Sequence, residues 1–244
     1  MSDLFVVGLG PGDGVFLTKQ AETALHQADV ICGYSVYVEL VRPLFPDKAY
    51  YSTGMTKEID RCRWTLETAQ AGQSVALVCS GDAGVYGMAS PLLQLAPEFP
   101  DVTVEIIPGL TAALSGGAVL GAPLAHDFCV ISLSDRLTPW SVIEKRLACA
   151  AQADFAIALY NPSSKGRLDY LQRAVRILRR YGKADDTVCG IVRCIGRPGQ
   201  QSHICTLTEL EALETDMFTT VFIGNADTAV VGGRMVTPRG YRGV

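Results

Sequence analysis

Charge is scarce in this sequence and carries no basic excess. Lys and Arg number 21 against 25 Asp and Glu, charged residues make up 19% of the 244, and the formal net charge is -4. A grip on a phosphate backbone needs the opposite sign, so nucleic acid is not an expected partner, while a local cluster of Arg and Lys still suits an acidic small molecule. Histidine is nearly absent: His26, His126 and His203 stand alone, with no metal-ligand spacing among them, and no metal site is expected. No two of the 8 cysteines form a C-x-x-C pair, which excludes a zinc ribbon or a thioredoxin motif and leaves them as small hydrophobes of a reducing compartment. No apolar run approaches the roughly 20 residues of a membrane span, and the opening residues lack the basic stretch and long apolar core of a secretory signal. The expectation is a soluble cytoplasmic protein that does not enter a membrane.

What is present is a large apolar fraction, 48% of residues, enough to bury a sizeable core. Leu4 to Val7 is a short apolar run ending at Gly8, the pattern of a buried parallel strand. A helix follows from Thr18, with Ala21, Ala24, Leu25 and Ala28 on one face and Thr18 as N-cap. The spacing then predicts a strand from Asp29 to Cys32 stopped by Gly33. Next come a helix capped by Thr56 with Ile59, Cys62, Leu66 and Ala69 on one face, a strand from Ser74 to Cys79, a helix from Gly84 to Leu95, a strand from Val102 to Ile107 and a helix from Thr111 to Leu120. Four such alternations imply a parallel sheet covered by helices.

Past Gly121 the rhythm changes. Strands are expected at Phe128 to Leu133, Phe155 to Tyr160, Thr187 to Val192, Thr219 to Ile223 and Arg234 to Thr237. Helices are expected from Thr138 to Ala151 and along Leu168, Leu171, Val175 and Leu178, with Arg173, Arg176, Arg179 and Arg180 on the wet face. The late strands show no helix between them, which suggests a mixed sheet. The fold class is therefore α/β, in two domains, 1–122 and 123–244.

Several loops follow strands where open α/β sheets bind ligands. Gly8-x-Gly10-Pro11-Gly12 departs from a dinucleotide fingerprint, because Asp13 stands where the third glycine belongs, and there is no Walker lysine. Ser80-Gly81-Asp82-Ala83-Gly84-Val85-Tyr86-Gly87 permits backbone contacts to a ligand, and Asp82 suits either a helix cap or a hydroxyl or ammonium. Thr111, after Pro108-Gly109, is likewise an N-cap or a contact. Tyr160-Asn161-Pro162, Gly224-Asn225 and Thr237-Pro238-Arg239-Gly240-Tyr241 offer polar groups from the second half. No G-x-S-x-G elbow supports a nucleophilic triad from the serines, His126 and Asp127.

Taken in order, the loops at 8–12, 80–87 and 108–112 resemble those of the tetrapyrrole methylases, enzymes of sirohaem and cobalamin synthesis that use S-adenosylmethionine. The likeness covers nearly the whole chain. More narrowly, His126-Asp127-Phe128-Cys129, the run Ile131 to Trp140, Tyr160-Asn161-Pro162 and Thr237 to Tyr241 resemble the branch acting at C17 of precorrin-3B, or of cobalt-factor III in the anaerobic route.

That resemblance implies two α/β domains with the donor in the cleft between them, and a homodimer. It implies donor contacts at Gly81, Asp82, Val85, Tyr86, Thr111, Ala112, Tyr160, Asn161, Gly224, Asn225, Thr237 and Pro238, with S-adenosylhomocysteine as the product. Gly10, Pro11 and Gly12 would face the tetrapyrrole instead. The branch is also expected to contract the macrocycle, which moves protons. His126, Asp127 and Asp135 are the candidates for that work, with Ser132 and Ser134 as hydrogen-bonding supports, and a plain tie at the domain junction is an equal reading of His126 and Asp127. Many substrate carboxylates call for cations, for which Lys57, Arg61 and Arg63 are the first choice and surface solvation the alternative. Some members of the branch carry an additional cluster-binding region; here no iron–sulfur cluster is expected. Competing readings are methylation at C11 or C20, a tetrapyrrole-binding protein without turnover, and an NAD-dependent oxidoreductase, which Pro11 and Asp13 disfavour.

Overall fold

The structure, a computed structural model, describes residues 3–164 and 166–243. The chain divides into two compact units, Met1–Thr111 and Ala112–Val244. The first runs β1 (Asp3–Gly8), α1 (Lys19–Gln27), β2 (Val30–Tyr34), α2 (Ser35–Val41), β3 (Ala49–Thr53), α3 (Glu58–Gln70), β4 (Val75–Cys79), α4 (Ala89–Leu95) and β5 (Thr103–Ile107). Its five strands form one sheet in the order β3-β2-β4-β1-β5, every neighbour parallel.

Successive side chains of these strands go to opposite faces, and both faces are apolar. Phe5, Val7, Ile31, Ala76 and Val78 pack with Ala21, Ala24 and Leu25 of α1 and Val38 and Val41 of α2. Leu4, Val6, Val30, Cys32, Val75 and Leu77 pack with Cys62, Leu66 and Ala69 of α3 and Ala89 and Leu92 of α4. The adjacent strands β1 and β4 therefore send their loops to opposite faces of the sheet. The carboxyl ends of such strands are the place where open α/β sheets take ligands.

Four local expectations need correction. Gly33 does not stop its strand: β2 passes through it, because a side-chain carbon there would lie 2.6 Å from Val78 Cγ2. The short helix α2 and the half-exposed edge strand β3 that follow carry too little periodicity to be read from sequence. Thr56 is no cap, since it stands at φ +68° two residues ahead of α3, and Ile59 is 54% exposed. The helix expected from Gly84 begins only at Ala89, the residues before it being held in an irregular loop. Thr18 does cap α1, its hydroxyl accepting from Ala21 N at 3.0 Å.

The second unit runs α5 (Ala112–Leu120), β6 (Gly121–Ala122), β7 (Phe128–Ser132), α6 (Trp140–Gln152), β8 (Ala156–Tyr160), α7 (Tyr170–Arg180), β9 (Val188–Arg193), β10 (Gln201–Thr206), α8 (Leu207–Glu211), β11 (Thr219–Ile223), β12 (Ala229–Val231) and β13 (Arg234–Val236). The main sheet has the order β10-β9-β11-β8-β7 and is mixed: β7 and β8 are parallel and the other neighbours antiparallel. A small second sheet joins β12, β13 and β6. Helices α6 and α7 cover one face of the main sheet, where Ile143, Leu147, Leu171, Val175 and Leu178 are buried.

Helix α5 covers the other face through Ala113 and Leu120, beside Ala158, Val192 and Phe222. Gly116 lets it approach, for a side-chain carbon there would sit 2.8 Å from Ile195 Cδ1. This helix, expected at the end of the first domain, thus belongs to the second unit. A strand and a helix, β10 and α8, also lie between β9 and β11, where none was expected; Thr206 and Glu209 form a reciprocal cap at the start of α8. Arg176 and Arg179 of α7 pair with Glu211.

All eight cysteines are free thiols, and five are buried, with burial pushing Cys32 up to about 11 and Cys62 up to about 12. Among the described residues no helix is long and apolar enough to cross a membrane, and no three His, Cys, Asp or Glu gather as metal ligands.

Candidate functional site

At the carboxyl edge of the first sheet three glycine loops are knotted together. Gly10 and Gly81 exchange backbone hydrogen bonds of 3.0 and 2.7 Å, joining the loops after β1 and β4. Gly8 and Gly109 meet so closely that a side-chain carbon on Gly109 would lie 2.2 Å from the Gly81 carbonyl oxygen. Asp82 completes the knot: Oδ1 accepts from the amides of Gly84 and Val85, and Oδ2 accepts from Gly109 N at 2.9 Å. Its carboxylate therefore holds three backbone groups and shapes the loop that carries Val85 and the exposed Tyr86. Tyr86 itself stands at φ +54°, a left-handed conformation that a bulky residue adopts only under constraint.

Other candidates of this unit separate. Gly10, Pro11 and Gly12 are buried beneath their own loop. Lys57 pairs with Asp60 at 2.9 Å and Arg63 with Glu98 at 2.9 Å, both on the surface. Arg61 is 3% exposed and donates to Thr53 Oγ1 and the Gly54 carbonyl, so it braces the loop after β3. The three cations chosen from sequence do not form one patch.

In the second unit the candidates fall into two groups. The first gathers at the carboxyl ends of the parallel pair β7 and β8. Ser132 Oγ accepts from Asn161 Nδ2 at 2.9 Å and from Ser134 N at 3.2 Å, and Asn161 stands at φ +54°. Arg167 Nη1 donates to Ser134 Oγ at 2.9 Å and to Asp135 Oδ1 at 3.1 Å, while its Nε donates to Ser164 Oγ. Tyr170 donates its hydroxyl to Asp135 Oδ2 at 2.5 Å. That hydrogen bond first, and the Arg167 charge after it, hold the Asp135 carboxyl below the usual aspartate range; the same hydrogen bond, with burial and the Asp135 charge, pushes the Tyr170 phenol up against the opposing Arg173 and Arg167 charges. Tyr160 belongs to the same end, its hydroxyl accepting from Ala113 N at 2.6 Å at the start of α5.

The second group lies at the other end of these strands. In the antiparallel register Ile223 faces Ile157, so Gly224 and Asn225 emerge beside the start of β8, about 13 Å along the strand from Tyr160. Asn225 Oδ1 accepts from Asp227 N and Thr228 Oγ1, Thr228 and Thr237 hydroxyls meet at 2.8 Å, and Thr237 donates to the Pro123 carbonyl. Lys183, 4% exposed, donates to the Gly224 carbonyl, the Phe155 carbonyl and Asp154 Oδ1, and Asp154 Oδ2 accepts from Ala226 N. The nine residues of α5, about 13 Å long, run from the first group to the second.

His126 and Asp127 are exposed at the entry of β7, the end opposite Ser132 and Asp135. His126 Nδ1 accepts from the Asp127 amide at 2.8 Å. The five residues proposed for proton work thus do not meet as one set. Sequence reasoning missed Lys183, Asp154, Thr228, Arg167 and Tyr170. Of these only Thr228 had a local signal, the Asn-x-x-Thr spacing of a side-chain-to-backbone turn; the others act on segments remote in sequence.

Residues 3–211 match the tetrapyrrole (corrin/porphyrin) methylases, and the chain belongs to that family. Within it, the chain is 47% identical over 239 residues to a probable cobalt-factor III C(17)-methyltransferase of Salmonella typhimurium, a match covering 98% of this chain and 99% of the relative. It is 40% identical over 249 residues to the precorrin-3B C(17)-methyltransferase of a Sinorhizobium species, covering 98% and 97%. A cobalt-factor III methyltransferase of Priestia megaterium, 43% identical, is longer, and the match covers 45% of it. Among solved structures, that of the methyltransferase CobJ matches with a TM-score of 0.91 at 39% identity, over 98% of this chain and 100% of that one. A uroporphyrin-III C-methyl transferase of Thermus thermophilus, solved with S-adenosyl homocysteine, shares the fold at a TM-score of 0.72 and 22% identity, over 91% and 97%.

Proposed function

We propose that this protein transfers the methyl group of S-adenosylmethionine to C17 of precorrin-3B or cobalt-factor III in cobalamin biosynthesis and contracts the macrocycle in the same turnover. The observation that carries the reading is the 47% identity to a C17 relative over essentially the whole of both chains.

The residues fit such a donor. Gly81, at φ +71°, leaves a space that a side-chain carbon would enter, with Thr111 Cα the one neighbour at 3.8 Å. By the same resemblance we assign to the donor Asp82, Val85, Tyr86 and Thr111 of the first unit, Asp82 through the loop it shapes, and Ala112, Tyr160, Asn161, Gly224, Asn225, Thr237 and Pro238 of the second. The bound sulfonium supplies an already activated methyl, so the task left to the chain is placement, which backbone groups and fixed loops perform. On the substrate side we assign Gly10, Pro11, Gly12, Lys57, Arg61 and Arg63. For the contraction we assign proton transfer to Asp135, with Ser132 and Ser134 beside it as hydrogen-bonding partners, and to His126 and Asp127 at the other end of β7.

We further propose a cytoplasmic homodimer. Eight free thiols suit a reducing compartment, and Val230 and Val231, exposed on β12, are apolar surface that a second copy would cover.

The test is anaerobic incubation with methyl-labelled S-adenosylmethionine and either pigment. Label in the recovered pigment supports the reading. Pigment that binds and never acquires label would instead mark a tetrapyrrole carrier.

A further inference from the structure

Of the two arginines of α7 whose guanidinium has no acceptor among the described residues, Arg173 and the exposed Arg180, Arg173 is the one held against aromatic rings. Its neighbours on the helix are engaged with acids: Arg176 and Arg179 with Glu211, and Arg179 also with Asp185. Arg173 instead lies over the Trp140 ring, 3.9 Å from its centre, and 5.0 Å from the centre of Tyr170. A guanidinium meets an aromatic ring through its face and a carboxylate through its edge, so the stacking fixes the group and leaves its N–H fork available.

The rings that fix it are themselves fixed. Trp140 and Tyr170 contact each other with centres 4.6 Å apart, and the Tyr170 hydroxyl is tied to Asp135, which Arg167 holds in turn. Arg167 also anchors Ser134. Four residues of this neighbourhood, Ser132, Ser134, Asp135 and Trp140, come from one run of nine, 132–140, tied through Arg167 and Tyr170 to the Trp140 ring on which Arg173 stacks. We propose that Arg173 is a binding site for a carboxylate side chain of the tetrapyrrole, presented by Trp140 and Tyr170, and that it sets selectivity for the acidic macrocycle. The proposal rests on the methyltransferase reading given above.

A preformed fork held by stacking loses little freedom on pairing, and a charge-assisted pair of this kind in a half-exposed place corresponds to about a tenfold change in affinity. The experiment titrates the protein with cobalt-factor III in the presence of S-adenosylhomocysteine, without turnover, following the pigment's absorbance. Arg173→Gln, which still packs on Trp140, is expected to bind the pigment about tenfold more weakly while its affinity for S-adenosylhomocysteine stays that of the wild type. Arg173→Lys, which keeps the charge and loses the fork, is expected to lose less. Added salt should weaken the wild type and narrow its gap from the Gln variant, a response that a purely structural role would not produce. Unchanged pigment affinity in both variants, or an equal loss of both ligands, overturns the proposal. The same titration is run with precorrin-3B, and a wild type that binds S-adenosylhomocysteine and neither pigment overturns the activity reading together with it.

Discussion

Asp82 Oδ2 accepts a hydrogen bond from the Gly109 amide at 2.9 Å, so one carboxylate on the loop after β4 fixes the loop after β5. With Oδ1 on the Gly84 and Val85 amides, three backbone groups depend on this side chain. Asp82→Ala is expected to cost about 2–3 kcal/mol in urea unfolding, since hydrogen bonds to a charged group are the stronger kind. It should also weaken S-adenosylhomocysteine binding in calorimetry, and Asp82→Asn, which keeps one acceptor oxygen, should do so less.

The same knot leaves no room at Gly109. A methyl group there would strike the Gly81 carbonyl oxygen, a backbone atom that cannot turn aside. Gly109→Ala is expected to destabilise the fold by about 2–3 kcal/mol. Gly54→Ala, where nothing lies within 4 Å of the added carbon, should change stability little in the same denaturation series.

Lys183 holds the second unit's loop from beneath. Lys183→Met would leave the carbonyls of Gly224 and Phe155 without their donor and Asp154 without its partner, at a cost of about 2–3 kcal/mol. Because Gly224 and Asn225 are assigned to the donor, donor affinity should fall further than tetrapyrrole affinity. Parallel titrations of the two ligands check this.

Asp135 gives a pH signature. Its folded-state pKa is depressed by the Tyr170 hydroxyl and then by Arg167, so its contribution to stability is present above the ordinary aspartate pKa and is lost as pH falls through the lowered one. Melting curves of the wild type and Tyr170→Phe should differ most at neutral pH and converge in acid. A constant difference down to the acid limit would mean that the hydroxyl does not act through the carboxylate.

The layer order was legible because periodicity encodes it. Leu4 to Val7 read as a doubly buried strand and proved to be the inner strand β1; Ala21, Ala24 and Leu25 read as the buried face of α1 and are buried. What stayed hidden was long-range. β3 is a half-exposed edge, so nothing forces an alternating pattern on it. Asp82 read equally as cap or ligand, because its tie to Gly109 spans 27 positions and leaves no trace in local spacing. The tie from Lys183 to Gly224 spans 41. The glycine loops marked the carboxyl edge of the first sheet, whereas the split of the remaining candidates between the two ends of β7 and β8 follows from strand direction, which spacing does not carry.

The most direct test is regiochemical. The protein is incubated anaerobically with S-adenosylmethionine and cobalt-factor III, and in parallel with precorrin-3B, and the products are examined by mass spectrometry and NMR. One methyl gained at C17, with a contracted ring, in either reaction is the predicted result. A methyl at C11 or C20, or no methyl despite intact donor binding, would contradict the account.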